Sequence, residues 1–469
     1  MARHTLSYAM ARLRAKQGLM VASPKNAGDR AMFLMCFLRY VEDNAEALGI
    51  QFSDQERLES ILPAYGTAFF TQAHLVSHVA TIATRLGMDG RAFRKYVESL
   101  STGDVKENAP YFDLEPGMLK NAESNGTADL IDRIFFRDAR HRLVTATMVG
   151  KLAKRLYESS ACVSSGVTIR IYDPFCFQGT MLIQTWNIFA KATQGIAFAL
   201  GGSDADGICV ATTSMRLFMS GYRGDYSDIR MDEGTQSTPT SGLYDIVVTT
   251  CSTNEYRTGH TILKVLSQVV ENSLKSGGVG IFVTPVGMLQ DRLDSEGREY
   301  LLEKHKLSSC IELRFSDYSS TPYTDALWIM DQNDRTDAPN SSIFLASLGG
   351  DGLTKNNPDF YEDLNGTPEQ CAESIEWFTE FVAEQKCLPF LSAKVSIKRI
   401  LERRDVSLRF STYESTIDMG SRVQEIASLQ TAWSHYQEVV GRMGNANDSF
   451  YRALDAIVQR RSEENATTD

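Results

Sequence analysis

None of the eight cysteines in this 469-residue chain stands in a C-x-x-C pair. They are scattered at Cys36, Cys162, Cys176, Cys209, Cys251, Cys310, Cys371 and Cys387, which argues against a zinc knuckle or a disulfide framework and predicts mostly buried thiols. Long apolar runs are lacking too, and none approaches the length that spans a bilayer, so no membrane insertion is expected. The opening "MARHTLSYAMARLRAKQGLM" has basic residues throughout and no compact apolar core before a small-residue cleavage site. No secretory signal is read there, and a cytoplasmic location is expected. An excess of positive charge is missing as well. With 48 Lys and Arg against 59 Asp and Glu the net charge is −11, so any DNA contact must be focused on a local basic face or shared with a partner. The clusters "RLRAKQ", "RDARHR" and "IKRILERR" read first as solvated helix faces. Internal repeats and low-complexity segments are absent. What remains is ordinary globular composition, 43% hydrophobic and 23% charged, in a length that suits two or three domains.

Three regions differ in pattern. Residues 1–130 read as a helical lead-in, with apolar residues at helical spacing in "DRAMFLMCFLRYVEDNAEAL", "QAHLVSHVATIATRLG" and "RAFRKYVESL". His74 and His78 are four apart on the second of these but lack a third ligand in sequence, so they read as helix-face histidines. Residues 131–350 alternate short apolar strands ("VTIRIYD", "IAFALGGSD", "YDIVVTT", "GGVGIFVTP", "SSCIELRF", "DALWIMDQ") with amphipathic helices. That alternation predicts an α/β domain with a mostly parallel sheet, whose ligands bind beyond the carboxyl ends of the strands. Residues 351–469 read as a polar linker followed by a helical C-terminal region. Its last part, Ser421 to Arg461, is long and amphipathic, suited to a partner's helices or to an intramolecular hairpin.

The strand ends carry a series of motifs in a recognisable order. "YDPFCFQGTML" resembles the S-adenosylmethionine loop of amino-methyltransferases, D-P-x-C-G-x-G-G. "ALGGSDADGICVATTSMRLFMSG" resembles the next element, an acid ending a strand before a helix of small and apolar residues. "DIRMDEGTQ" is similar to the strand that follows. "GGVGIFVTPVGMLQDRLDSEGREYLLEKHKLSSCIELRF" and "RHRLVTATMVGKLAKRL" resemble further stretches of one family, the adenine-N6 DNA methyltransferase subunits of type I restriction-modification systems. "VSLRFSTYES" resembles that family's segment before its C-terminal tail.

The resemblance implies a Rossmann-like class I S-adenosylmethionine-dependent methyltransferase sheet with a helical N-terminal domain and a helical C-terminal tail. It implies S-adenosylmethionine as cofactor, DNA as substrate and a specificity-type subunit as partner through the C-terminal helices. Asp173, Pro174, Cys176 and Gly179 match the cofactor loop. Asp204 matches the strand-end acid that accepts from ribose hydroxyls, with Asp206 a weaker substitute, and Asp232 stands where an acid would meet the adenine amine. Phe177 and Thr180 replace two glycines of the loop. A working cofactor site and a plain strand-to-helix turn packed by Phe177 therefore both stay open.

The departure is at "YDIVVTTCSTNEY". In the family the strand beginning with the acid at Asp245 runs into N-P-P-F/Y, whose Asn accepts from the target amine and whose ring stacks on the flipped base. Here Thr250, Cys251, Ser252 and Thr253 stand instead, with no proline to stiffen the turn and no ring to stack. Asn254 and Tyr256 come too late in register. A second chemistry would use Cys251 as a cytosine-C5 nucleophile, but the preceding proline is missing, and a buried thiol is the plainer reading. The expectation is a catalytically impaired methyltransferase-like subunit of a DNA modification or phage-defence system, holding DNA and a partner. The alternatives are an active adenine-N6 methyltransferase with an atypical loop, and a purely structural protein in which Phe177 fills the cofactor volume.

Overall fold

The computed structural model describes residues 27–64, 71–108, 139–160, 168–193, 195–231, 243–251, 262–304, 307–315, 323–331, 341–348, 367–388 and 391–413. The chain divides into a unit Met1–Thr412 and a unit Tyr413–Asp469. Beyond Tyr413 the second unit, with the amphipathic Ser421–Arg461 stretch, lies outside the described residues.

The helical lead-in comprises α1 (Ala27–Asp43), α2 (Leu58–Ala64), α3 (Gln72–Arg85), α4 (Gly90–Glu98) and α5 (Thr102–Asn108). In α1 every residue from Ala31 to Leu38 is buried, so this helix is surrounded rather than laid on a surface. Thr71 and His74 form the capping box of α3, the His74 Nδ1 accepting the Thr71 backbone N–H at 3.0 Å. His74 is thus the helix's own cap, while His78, one turn on, is partly buried and its imidazole is pushed down by desolvation.

The sheet is built from β1 (Thr168–Asp173), β2 (Ala197–Asp204), β3 (Ile229–Met231), β4 (Tyr244–Thr250), β5 (Leu274–Pro285), β6 (Leu307–Phe315), β7 (Tyr323–Asp331), β8 (Ser342–Ser347) and β9 (Ser392–Ser396). Among the described residues they pair in the order β3-β2-β1-β4-β5-β7-β6-β8-β9. β1 to β5 are mutually parallel, β7 is antiparallel to both β5 and β6, and β9 is antiparallel to β8. Near-continuous burial along β1, β4 and β5 is what a parallel sheet covered on both faces requires. β9 comes from a stretch whose sequence pattern reads as helical; its strand conformation is set by pairing with β8.

The covering helices are α6 (Ala139–Ser159), α7 (Thr180–Ala192), α8 (Gly207–Met219), α9 (Ile262–Ser273), α10 (Ser295–Glu303), α11 (Pro368–Ala383) and α12 (Ile397–Leu401). The lead-in helices pack on α8: Phe37 meets Phe218 edge-on at 5.9 Å, and Arg223 reaches from the end of α8 to the Tyr40 hydroxyl at 2.8 Å. Asp89, the N-cap of α4, accepts from Arg91 N–H and, with its other oxygen, from the Met231 N–H of β3 at 3.1 Å. Among the described residues no helix is long and apolar enough to cross a membrane.

The strand order reverses at β1, with β2 and β3 on one side and β4 and β5 on the other. Loops leaving β1 and β4 must then diverge toward opposite faces and open a crevice between them.

Candidate functional site

At that reversal the adjacent strands β1 and β2 end on Asp173 and Asp204, Asp173 pairing with Gly202 and Asp204 two residues beyond. Asp173 is 1% exposed, and desolvation pushes its carboxyl up to about 7 against the opposing Phe175 N–H bond at 3.2 Å. The Thr249 hydroxyl lies beside the same carboxyl and lowers it, although its alignment falls short of a formed hydrogen bond. Asp204, raised mainly by desolvation, accepts the Phe177 N–H at 3.1 Å and the Asp206 N–H at 2.8 Å. Among the described residues neither acid has a cation shifting it, and each raises the Cys176 thiol. Asp206 is committed elsewhere, capping α8 through the Ile208 N–H at 2.9 Å.

The loop between the acids is held from below and behind. The Cys176 N–H donates to the Ser203 carbonyl at 2.9 Å, and the Ser203 hydroxyl donates to the Pro174 carbonyl at 3.0 Å. Phe177 adopts φ +44°, the left-handed conformation that a non-glycine residue seldom takes. That is the region glycine enters most readily. Gly179, at φ +78°, is the N-cap of α7, and a Cβ there would stand 2.8 Å from Thr213 Cγ2. Thr213 donates its hydroxyl to the Phe177 carbonyl at 3.0 Å. Arg216, one turn further along α8 and wholly buried, donates to the Gln178 carbonyl and to Thr180 Oγ1 at 3.0 Å. Burial pushes the Arg216 guanidinium down to about 9. Thr213 and Arg216 were not singled out from sequence; the one available signal was an arginine inside the otherwise uncharged "ICVATTSMRLFM".

The other half of the crevice is the end of β4. Thr250 pairs with Val283 of β5 and is partly exposed. The Cys251 N–H donates to the Val283 carbonyl at 2.8 Å, and the residue is 2% exposed, so its thiol faces protein. Asp245 is at the opposite end of the same strand, where it accepts from Lys275 Nζ at 2.7 Å and from the Arg170 N–H at 2.8 Å. Asp232, Ser252, Thr253, Asn254 and Tyr256 lie outside the described residues. Among the described residues no group of three His, Cys, Asp or Glu is placed to hold a metal.

A cofactor with a cationic amino-acid end and a ribose suits this donor set. Asp173 offers a desolvated carboxyl without a counter-charge, which an ammonium group would relieve. Asp204 keeps lone pairs for hydroxyl donors beyond the two amides it already serves. The left-handed turn at Phe177 and the close approach at Gly179 make a backbone cradle between them.

No protein-family model and no curated protein matches the sequence. Solved structures do match by shape. The methyltransferase subunit of a type I restriction-modification system from Streptococcus thermophilus is similar at TM-score 0.55 and 13% identity, covering 86% of this chain and 97% of its own. A structure described for complex assembly and conformational transition of the type I system is similar at TM-score 0.55 and 15% identity, covering 96% and 99%. A modification subunit of a type I restriction enzyme from Vibrio vulnificus gives TM-score 0.51 at 14% identity, covering 89% and 97%. The strand order, the reversal at β1 and these neighbours agree: the chain has the class I S-adenosylmethionine-dependent methyltransferase fold, in the form taken by type I restriction-modification methyltransferase subunits.

Proposed function

We propose that this chain is a divergent methyltransferase-like subunit of a cytoplasmic DNA modification system of the restriction-modification kind. It binds S-adenosylmethionine at the Asp173–Asp204 crevice and contributes DNA and partner contacts without the usual transfer to an adenine amine. The observation that carries this reading is the asymmetry of the crevice. On the β1–β2 side two neighbouring carboxyls flank a cradle and lack a cation. On the β4 side Thr250 and a buried Cys251 occupy the strand end, and neither offers the carbonyl oxygen of a side-chain amide as acceptor.

When bound, S-adenosylmethionine supplies an electrophilic methyl group on a sulfonium. The residues of this chain would hold it as follows. Asp173 would take the ammonium end, the Phe177–Gly179 turn would lie along the methionine portion, and Asp204 would accept from the ribose hydroxyls. Asp232 would be the acid nearest the adenine amine. Activation of a target amine needs acceptors placed within hydrogen-bond reach and shielded from water, and a Thr hydroxyl is a donor as well as an acceptor. The Ser421–Arg461 stretch is the segment we assign to a specificity-type partner.

The test is titration calorimetry of the full chain with S-adenosylmethionine and S-adenosylhomocysteine, followed by transfer of labelled methyl groups to duplex DNA. Saturable binding that is abolished by Asp204→Ala, with no label reaching DNA, is the expected result. No binding at millimolar ligand sinks the cofactor assignment. Label in adenine, lost in Asp173→Ala, establishes instead an active enzyme with an atypical loop.

A further inference from the structure

One carboxyl on the strand-end edge has no role in the account above. Asp325 is the third residue of β7, a strand that runs against β5 and therefore begins where β5 ends. It pairs with Pro285, the last residue of β5, and with Leu313 of β6. Residues opposed across a ladder share a face, and so do residues two apart along a strand. Thr250 opposes Val283 and Val283 opposes Leu327, so Thr250, Val283, Leu327 and Asp325 lie on one face of the sheet. Asp325 follows on that face from an apolar bed of Val283, Leu313 and Leu327, each at most 1% exposed.

The side chain is partly buried and makes no hydrogen bond or ion pair with any described residue. Desolvation alone pushes its carboxyl up to about 6, with no lysine or arginine opposing the shift. A partly buried carboxyl without a partner is costly in a folded chain, and such groups collect where a ligand completes them. Other acids of the sheet unit do have partners: Glu312 holds Arg409 through two contacts at 2.9 and 3.3 Å, and Asp228 accepts from the Tyr244 hydroxyl at 2.8 Å.

We propose that Asp325 is a substrate-contacting acceptor that receives a hydrogen bond from the exocyclic amine of a nucleobase brought to the end of β4. This rests on the reading of the chain as a methyltransferase-like DNA subunit. The geometry supports an acceptor from β7 because the described end of β4 offers only the Thr250 hydroxyl, which is donor as well as acceptor, and a buried Cys251. Cys251 continues the β4–β5 pairing, so the chain leaves β4 beside the end of β5, and Asp325 is on the strand beyond β5, on the same face as Thr250. The contact selects bases that carry an exocyclic amine, such as adenine, over analogues that lack it.

The experiment uses the full chain saturated with S-adenosylhomocysteine, so that added nucleoside cannot occupy the cofactor crevice. Binding of 2′-deoxyadenosine is compared with that of purine 2′-deoxyriboside, which lacks only the amine, by ligand-observed NMR. The wild-type chain should bind the amine-bearing nucleoside about tenfold more tightly, as one hydrogen bond to a charged group allows. Asp325→Ala should abolish that preference, and Asp325→Asn, which retains an acceptor oxygen, should keep part of it. Both variants should bind S-adenosylhomocysteine as the wild type does, which also shows that they fold. Equal affinity for the two nucleosides in the wild type, no nucleoside binding at all, or a preference that survives in Asp325→Ala overturns the assignment. Failure of the wild type to bind S-adenosylhomocysteine is a separate result, which removes the cofactor reading on which the assignment rests.

Discussion

Thr213 and Gly179 are in contact across the candidate cofactor loop: the Thr213 methyl stands 2.8 Å from the place a Cβ on Gly179 would occupy. Gly179 is also left-handed, at φ +78°. Gly179→Ala is therefore expected to cost about 2–3 kcal/mol, from backbone strain and overpacking together. Thr213→Ser removes the offending methyl and keeps the hydroxyl for Phe177. The double variant should recover part of the loss, and a double-mutant cycle in urea measures the coupling. Additive losses would show that the loop rests on something other than α8.

Arg216 is expected to behave differently. Replacing it with Met removes a desolvated charge but uncovers the Gln178 carbonyl and Thr180 hydroxyl that it serves. These effects oppose, so stability should change by no more than about 1 kcal/mol. The loop itself should loosen, and hydrogen exchange at the Gly179 and Thr180 amides should rise about tenfold or more. Unchanged exchange would relieve Arg216 of any part in holding the loop.

The pH dependence of stability has a definite sign. The Asp173 carboxyl is raised from 3.8 to about 7 in the folded chain, and Asp325 to about 6. Between the ordinary and the raised values the folded chain binds more protons than the unfolded one, so stability falls as pH rises through that window. For Asp173 the displacement amounts to at most about 4 kcal/mol. Asp173→Asn should resemble the wild type near about pH 4 and gain on it toward about pH 7.5, as urea midpoints at the two ends would report. A saturating ammonium-bearing cofactor should remove much of the same penalty by pairing the charge.

Arg298 anchors a different region. Wholly buried, it donates to the carbonyls of Met288, Asp291, Asp405 and Val406 at 2.6 to 3.0 Å, tying the turn after β5 to the segment beyond α12. Arg298→Ala should cost about 4 kcal/mol by leaving buried carbonyls unserved. Arg298→Lys should recover less than half, because an ammonium cannot reproduce the planar fork. Limited proteolysis should show new cleavage near residues 403–409 in the Ala variant.

The strands that carry the crevice could be read from the chain because each is a short apolar run ended by an acid or a turn, and β1, β2, β4, β5, β6 and β7 all form where the runs stand. Asp173 was named from the resemblance of its loop and Asp204 from its place at a strand end, and the two end adjacent strands, Asp173 pairing with Gly202 and Asp204 two residues beyond. β8 and β9 were missed for a physical reason. "SAKVS" is five residues with Lys394 outward and a helix directly behind it, and only the β8 partner makes it a strand. Arg216 and Asp325 were missed because burial is a tertiary property: a charge on an apolar helix or strand reads the same whether it faces water or protein until the neighbours are known. The polar interruption in "YTDALWIMD" was the visible sign of Asp325.

Among the described residues β3 is the outermost strand of its side of the sheet, and an outermost strand offers its outward amides to any other chain that can pair with them. Asp89 takes one of those amides, at Met231, from the cap of a helix some 140 residues earlier in sequence. The lead-in thus works as a guard on an edge as well as a packing surface. A shortened protein that began at β1 would expose this edge together with the apolar flank of α8, and self-association rather than simple unfolding is the fault to expect from it.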